Sequence, residues 1–171
     1  MKKLLSIILV LMLALTLMTS CGNNEQKQPV YEGPKASGEG IFPAIAKEDI
    51  KVGVIHIGNP ADGSGYSYAH DQGIIAMQKA LGLSDSQIIR KNNVNDTDPT
   101  ATEAAMLECI EEGANIIFGT SWGYMDTMEA LAEEYPDVIF SHGSGYKSNG
   151  RNFNNYFGRI YQARYLTGIA A

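Results

Sequence analysis

The residues of this chain that could carry chemistry are three histidines, a glycine-rich loop and the aromatic residues beside it. The loop, GNPADGSGYSYAHDQG at residues 58–73, follows the apolar run at residues 50–57 and precedes the helix-like segment IIAMQKAL. A phosphate cradle of the nucleotide-hydrolase kind needs a lysine and a hydroxyl residue to close its glycine loop, and this loop contains no lysine. The dinucleotide fingerprint needs closely spaced glycines, a spacing that Gly58, Gly63 and Gly65 do not have. His56, His70 and His142 form no pair at helical ligand spacing, and no second cysteine or carboxylate completes a metal set. Gly143-Ser144-Gly145 lacks the spacing of a nucleophile elbow. Catalysis and a resident cofactor are therefore not supported. Hydrolysis by clustered acids such as Asp62 with Asp126 around a metal ranks last among the possible activities.

Binding is the remaining chemistry. Tyr66 and Trp122 sit near loop apices, where an aromatic ring can stack on a flat solute, with Asn59, Asp62, Ser64 and Ser121 as polar neighbours. Tyr68 and Tyr124 are placed equally well for packing at helix starts.

Short apolar runs and helical periodicity alternate along the chain. The pattern predicts strands at 50–57, 87–94, 115–118 and 138–141, with helices at 65–81, 99–112, 124–134 and from 160 to the end. Asp98 followed by Pro99 reads as an N-cap and first helical position, and Gly113 as the stop. Such alternation implies an α/β fold, a parallel sheet with right-handed crossovers and helices on both faces. Ligands of such sheets bind outside the carboxyl ends of the strands. The loops expected there, at 58–73, 92–98, 119–124 and 142–146, are rich in Gly, Ser, Asn and aromatics.

The start of the chain gives an address. Two lysines precede an apolar stretch at residues 4–18, about 15 residues and short of the ~20 needed to span a bilayer, as in a signal peptide. Leu17-Met18-Thr19-Ser20-Cys21 resembles a bacterial lipobox, so residues 1–20 are expected to be removed and Cys21 lipidated. Two or more acyl chains such as palmitate give stable anchorage, at about 0.8 kcal/mol per buried methylene. Residues 21–49, rich in Asn, Glu, Gln, Lys, Pro, Gly and Ser, read as a flexible tether. Cys109 is then left without a cysteine partner and reads as a small buried hydrophobe. Thirteen basic against 19 acidic residues give a net charge of −6, and losing Lys2 and Lys3 takes it to −8, which argues against nucleic acid as a partner. The last residues, YQARYLTGIAA, run as an apolar helix with no cap or polar tail, so residues 50–171 are expected to be an incomplete lobe.

The order of leader, lipobox and spacer, followed by KVGVIHIGNPADGSGYSYAHDQGI, NIIFGTSWGYMDTMEALAEEYPDVIFSHGSGYKSN and NNYFGRIYQARYLTGIAA, resembles the basic membrane protein family of solute-binding lipoproteins. The resemblance covers residues 50–171. It implies a partial N-terminal lobe of a two-lobed, type I periplasmic-binding-protein fold. It also implies a receptor on the extracytoplasmic face that delivers purine nucleosides to the permease and ATPase of an ABC importer. In the family the first loop reads Asp-Asp-x-Ser-Phe-Asn. Asp62 keeps the first acid, Gly63 replaces the second, Tyr66 takes the stacking position and Ser67 replaces the Asn. Where relatives end the strand after Tyr-Pro-Asp with an Asp, this chain has His142 and Ser144 as candidate donors. Stacking contributes ~1–3 kcal/mol per ring against about 8 kcal/mol for a micromolar site, so one lobe is expected to bind weakly. A sugar or other small polar solute, and a surface lipoprotein that binds macromolecules, stay open as alternatives.

Overall fold

The computed structural model describes residue 42 and residues 44–170. The leader, Cys21 and the spacer as far as residue 41 lie outside the described residues. The chain folds as β1 (Val52–Ile55), α1 (Gly65–Leu81), β2 (Ile88–Lys91), α2 (Pro99–Glu111), β3 (Ile116–Gly119), α3 (Met125–Glu134), β4 (Ile139–Gly143), β5 (Phe153–Tyr156) and α4 (Ile160–Ala170). The five strands form one parallel sheet in the order β2-β1-β3-β4-β5. Val52 pairs with Ile88 on one side and Ile116 on the other, and Phe140 pairs with Phe153. The expected α/β class, parallel sheet and helices on both faces are all present.

Local chemistry sets the helix ends. The Asp98 carboxylate accepts from Thr100 N at 3.0 Å and Ala101 N at 3.1 Å, satisfying two of the free amides at the start of α2. Past the end of α2, Gly113 turns left-handed at φ +92°, a conformation that costs glycine nothing.

Alternation along the strands divides the apolar residues between two cores. Val52 and Val54 of β1 meet Ile74, Leu83 and Ile88 on the α1 face. Ile55, Ile117, Phe140 and Phe153 meet Met106, Cys109, Met128 and Leu131 on the face covered by α2 and α3. Helix α2 lies close against β1, since a Cβ on Gly53 would come within 3.0 Å of Cys109 Cβ. Cys109 is a buried packing residue, as its sequence context implies, and burial pushes its thiol up to about 12.

Strand β5 is a correction to the sequence reading, which has four strands and loop up to residue 160. Its sequence, FNNY, buries only Phe153, so it lacks the apolar run of a central strand. The strand is anchored instead by a buried amide. Asn152 Nδ2 donates to the carbonyls of Ala132, Tyr135 and Val138 at 2.8, 3.1 and 2.9 Å, tying β5 to the end of α3. Strands β1 and β2 are shorter than expected, because residues 56–57 and 92–94 leave the sheet for the loops, whereas β3 has the expected length and β4 runs two residues further, to Gly143. Residues Lys47–Asp49 form a single helical turn, fastened by Gln87 Nε2 donating to Lys47 O and Ile50 O, both at 2.8 Å. Helix α4 buries none of its side chains in the described structure.

Candidate functional site

The order β2-β1-β3-β4-β5 reverses direction between β1 and β3, because α1 leaves β1 on one face while α3 leaves β3 on the other. Open α/β sheets bind ligands at the carboxyl ends of strands flanking such a reversal. Tyr66 bridges that point. It stands in the first turn of α1, just after β1, and its hydroxyl donates to Thr120 O, just after β3, at 2.6 Å.

Helical periodicity explains which residues of α1 face the site. Ser67, Asp71 and Ile74 form its buried side. Ser67 Oγ accepts from Gly58 N at 2.9 Å and so closes the glycine loop onto the helix. Asp71 Oδ1 accepts from Arg90 Nε at 2.6 Å and lies 3.5 Å from His56 Nε2. With that side pinned, Tyr66 and His70, one turn apart, face the strand ends together, their ring centroids 4.5 Å apart at 59°.

Tyr66 and His70 line a cleft of about 280 Å³ with Gly143, Ser144, Tyr156, Phe157, Gly158 and Ile160. A neighbouring recess of about 290 Å³ lies behind His70 and Tyr156, against Phe118 and Met77. None of the residues lining the cleft is Lys, Arg, Asp or Glu. Ser144 holds a left-handed φ of +69°, sparsely populated by residues with a Cβ, and its N–H donates to Tyr156 O at 3.0 Å. Its hydroxyl neighbours that of Tyr66, whose pKa is raised by burial and partly lowered again by Ser144. Burial raises Tyr156 to about 12, so the hydroxyl stays protonated. His70 is held below its ordinary 6.5 by burial and is neutral at pH 7. The cleft thus offers aromatic walls and uncharged polar groups, which suit a flat, neutral solute.

Of the ligand-binding candidates singled out in the sequence, Tyr66 and Ser144 meet in this cleft, and the others do not line it. Asn59 Oδ1 accepts from Ala61 N at 3.0 Å, Asp62 is exposed in the same turn, and Ser64 precedes α1 without a side-chain cap bond. Ser67 is buried under Gly58. Ser121 is buried too and donates to Asp96 Oδ2 at 2.6 Å, tying the loop after β3 to the loop after β2. Trp122 is 57% exposed and leans on Tyr146, with ring centroids 5.8 Å apart. His142 is fully buried on the α2/α3 face. Its Nε2 lies 2.7 Å from Ser121 O, and since a carbonyl only accepts, that nitrogen carries the proton. Nδ1 of His142 has no partner among the described residues. Tyr124, open between packing and ligand contact in the sequence, packs: it is buried and its hydroxyl donates to Val94 O at 2.6 Å.

Several cleft residues were not legible as such. Tyr156 and Phe157 were hidden because β5 was. His70 had a usable signal, its place four residues after Tyr66 on one helix face. Among the described residues no group of three His, Cys, Asp or Glu side chains is arranged to hold a metal ion, and no helix is long and apolar enough to cross a membrane.

Comparison with known proteins agrees with this architecture. The model of the Bmp family, described as ABC transporter substrate-binding protein PnrA-like, matches residues 50–171. A purine-binding protein of Brucella abortus is 38% identical over 75% of this chain and 35% of its own length. A protein of Haloferax volcanii, provisionally named an ABC transporter glucose-binding protein, is 36% identical over 62% of this chain and 26% of its own. The chain therefore spans about a third or less of the length of these curated relatives. Among solved structures, an ABC transporter solute-binding protein from Conexibacter woesei has the same fold, with a TM-score of 0.56 at 24% identity over 70% of this chain and 38% of that one. The five-stranded parallel lobe and the match across residues 50–171 lead to one conclusion: the chain belongs to the Bmp family of PnrA-like ABC transporter substrate-binding proteins.

Proposed function

We propose that the protein is the solute receptor of an ABC importer, anchored through acyl chains on Cys21 to the extracytoplasmic face of the membrane, and that its solute is a purine nucleoside. The observation that carries this reading is the uncharged cleft at the strand ends, with Tyr66 as a flat wall held across the sheet reversal by its bond to Thr120. The name of the Brucella relative supports the purine part. The reading assigns no catalysis. Ser144 and the cleft rings hold the solute, and Ser67, Ser121 and His142 hold the loops that shape its surroundings. A second lobe supplies the opposing wall and excludes water on closure.

A sugar is the second reading, favoured by the name of the Haloferax relative. Calorimetry on the full-length protein, second lobe included, against adenosine, guanosine, inosine, uridine and glucose separates the two. Binding of purine nucleosides alone is the expected result. Binding of glucose alone transfers the assignment to sugars, and binding of none of them removes the receptor reading for these solutes. Acyl anchorage is tested separately, by mass spectrometry of the membrane fraction from cells expressing wild type and Cys21→Ser.

A further inference from the structure

Among the described residues the His70 side chain makes no hydrogen bond, and the only ring it packs on is that of Tyr66. It lies on α1 in line with Tyr66, borders both the cleft and the recess behind it, and shares that border with Tyr156. The rotation of α1 is set elsewhere, by Ser67 under Gly58 and by Asp71 on Arg90, so residue 70 is not needed to hold the helix. Its neighbour His56, by contrast, sits fully buried beside the Asp71–Arg90 pair.

We propose that His70 touches the bound solute directly, its imidazole making a hydrogen bond to the polar edge of a flat ring that packs against Tyr66. The inference rests on the reading of the cleft as a solute site and names the group that reads the solute's edge. A neutral imidazole offers one donor and one acceptor, which matches the alternating donors and acceptors around a heteroaromatic base. Ser144 Oγ and the Tyr156 hydroxyl are further uncharged polar groups of the cleft. Burial favours the neutral form of His70, so protonation in acid removes the acceptor and weakens binding. The titratable and charged groups around it are Tyr66 on its own helix, Tyr156 on β5, and His56 just after β1 with Asp71 and Arg90 behind it.

The alternative is that His70 only buttresses the ring of Tyr66. His70→Phe keeps that aromatic support and loses the hydrogen bond, whereas His70→Gln keeps donor and acceptor without titrating. Affinities for adenosine, inosine, adenine and D-glucose are measured by calorimetry on the full-length protein, second lobe included, between about pH 7.5 and about pH 5.5. His70→Phe is expected to bind about tenfold more weakly than wild type at the upper pH, and His70→Gln to lose less and to show a flatter acid decline. Wild-type affinity in His70→Phe, or a wild-type acid decline in His70→Gln, overturns the proposal while leaving the receptor reading intact. If wild type binds glucose alone and His70→Phe weakens it, the contact stands and the purine assignment falls. If none of the probes binds, both fall.

Discussion

On the α2/α3 face of the sheet, Ile117, Phe140, Met106 and Met128 are closed to solvent, and even the polar residues Thr102 and His142 are fully buried. On the α1 face the packed core ends near β3. Phe118 is only partly covered, Asn154 is exposed, and Tyr156 keeps 37% of its surface open while meeting Phe118 edge-on at 6.2 Å. The same five strands thus have one face whose apolar side chains are satisfied by neighbours and one whose aromatic side chains are available to something else. The cleft lies along the open side, between α1 and the ends of β4 and β5. A binding surface needs such incompletely packed aromatics, because only area still in contact with water can be buried by a solute.

This contrast can be broken by substitution. The largest effect is expected from Phe140→Ala on the closed face, a loss of about 3–5 kcal/mol that lowers the urea midpoint while the shape of the far-UV spectrum of the remaining folded protein is kept. Gly123→Ala follows, because a Cβ there would stand 2.1 Å from the carbonyl oxygen of Asp96, and the loop after β2 must move away. A cost of about 1–3 kcal/mol is expected, and unchanged stability would mean that the two loops are not packed as described. Tyr124→Phe leaves the buried Val94 carbonyl without its donor, at a cost of about 1–3 kcal/mol by urea denaturation.

On the open side the same kind of change should read out in binding. Tyr66→Ala is expected to weaken nucleoside binding about tenfold with little change in the urea midpoint, whereas Tyr66→Phe keeps the stacking face and loses less. A large fall in stability for Tyr66→Ala would place it with the closed core instead.

The smallest effect is in the pH dependence of stability. Burial holds His56, His70 and His142 below their ordinary 6.5 in the folded protein. As pH falls below 6.5 the unfolded chain takes up these protons first, so stability declines toward the depressed folded values and then levels off. His142→Gln removes one of the three protons and should give a shallower decline, measured by urea midpoints across that range.

The alternating pattern made four of the five strands and the succession of helices legible, and Asp98-Pro99 and Gly113 marked the ends of α2 from chemistry confined to a few adjacent residues. Strand β5 was not legible, because its stability comes from Asn152 reaching three carbonyls around the end of α3, a contact between distant parts of the chain. For the same reason the loop serines and histidines could not be sorted in advance. Ser67, Ser121 and His142 have side chains suited to a polar ligand, and each instead meets a protein group within hydrogen-bonding distance.

The sequence by itself determined the class of fold, the burial of Cys109 and the prominence of Tyr66, since composition, periodicity and local capping act over one helix or strand at a time. Only the tertiary structure decided which partners Tyr66 has. The phase of α1, set by Ser67 and Asp71, turns His70 to its side, and the strand ends bring Ser144 and Tyr156 opposite. Those relations depend on how elements far apart in the chain pack, which no local pattern encodes.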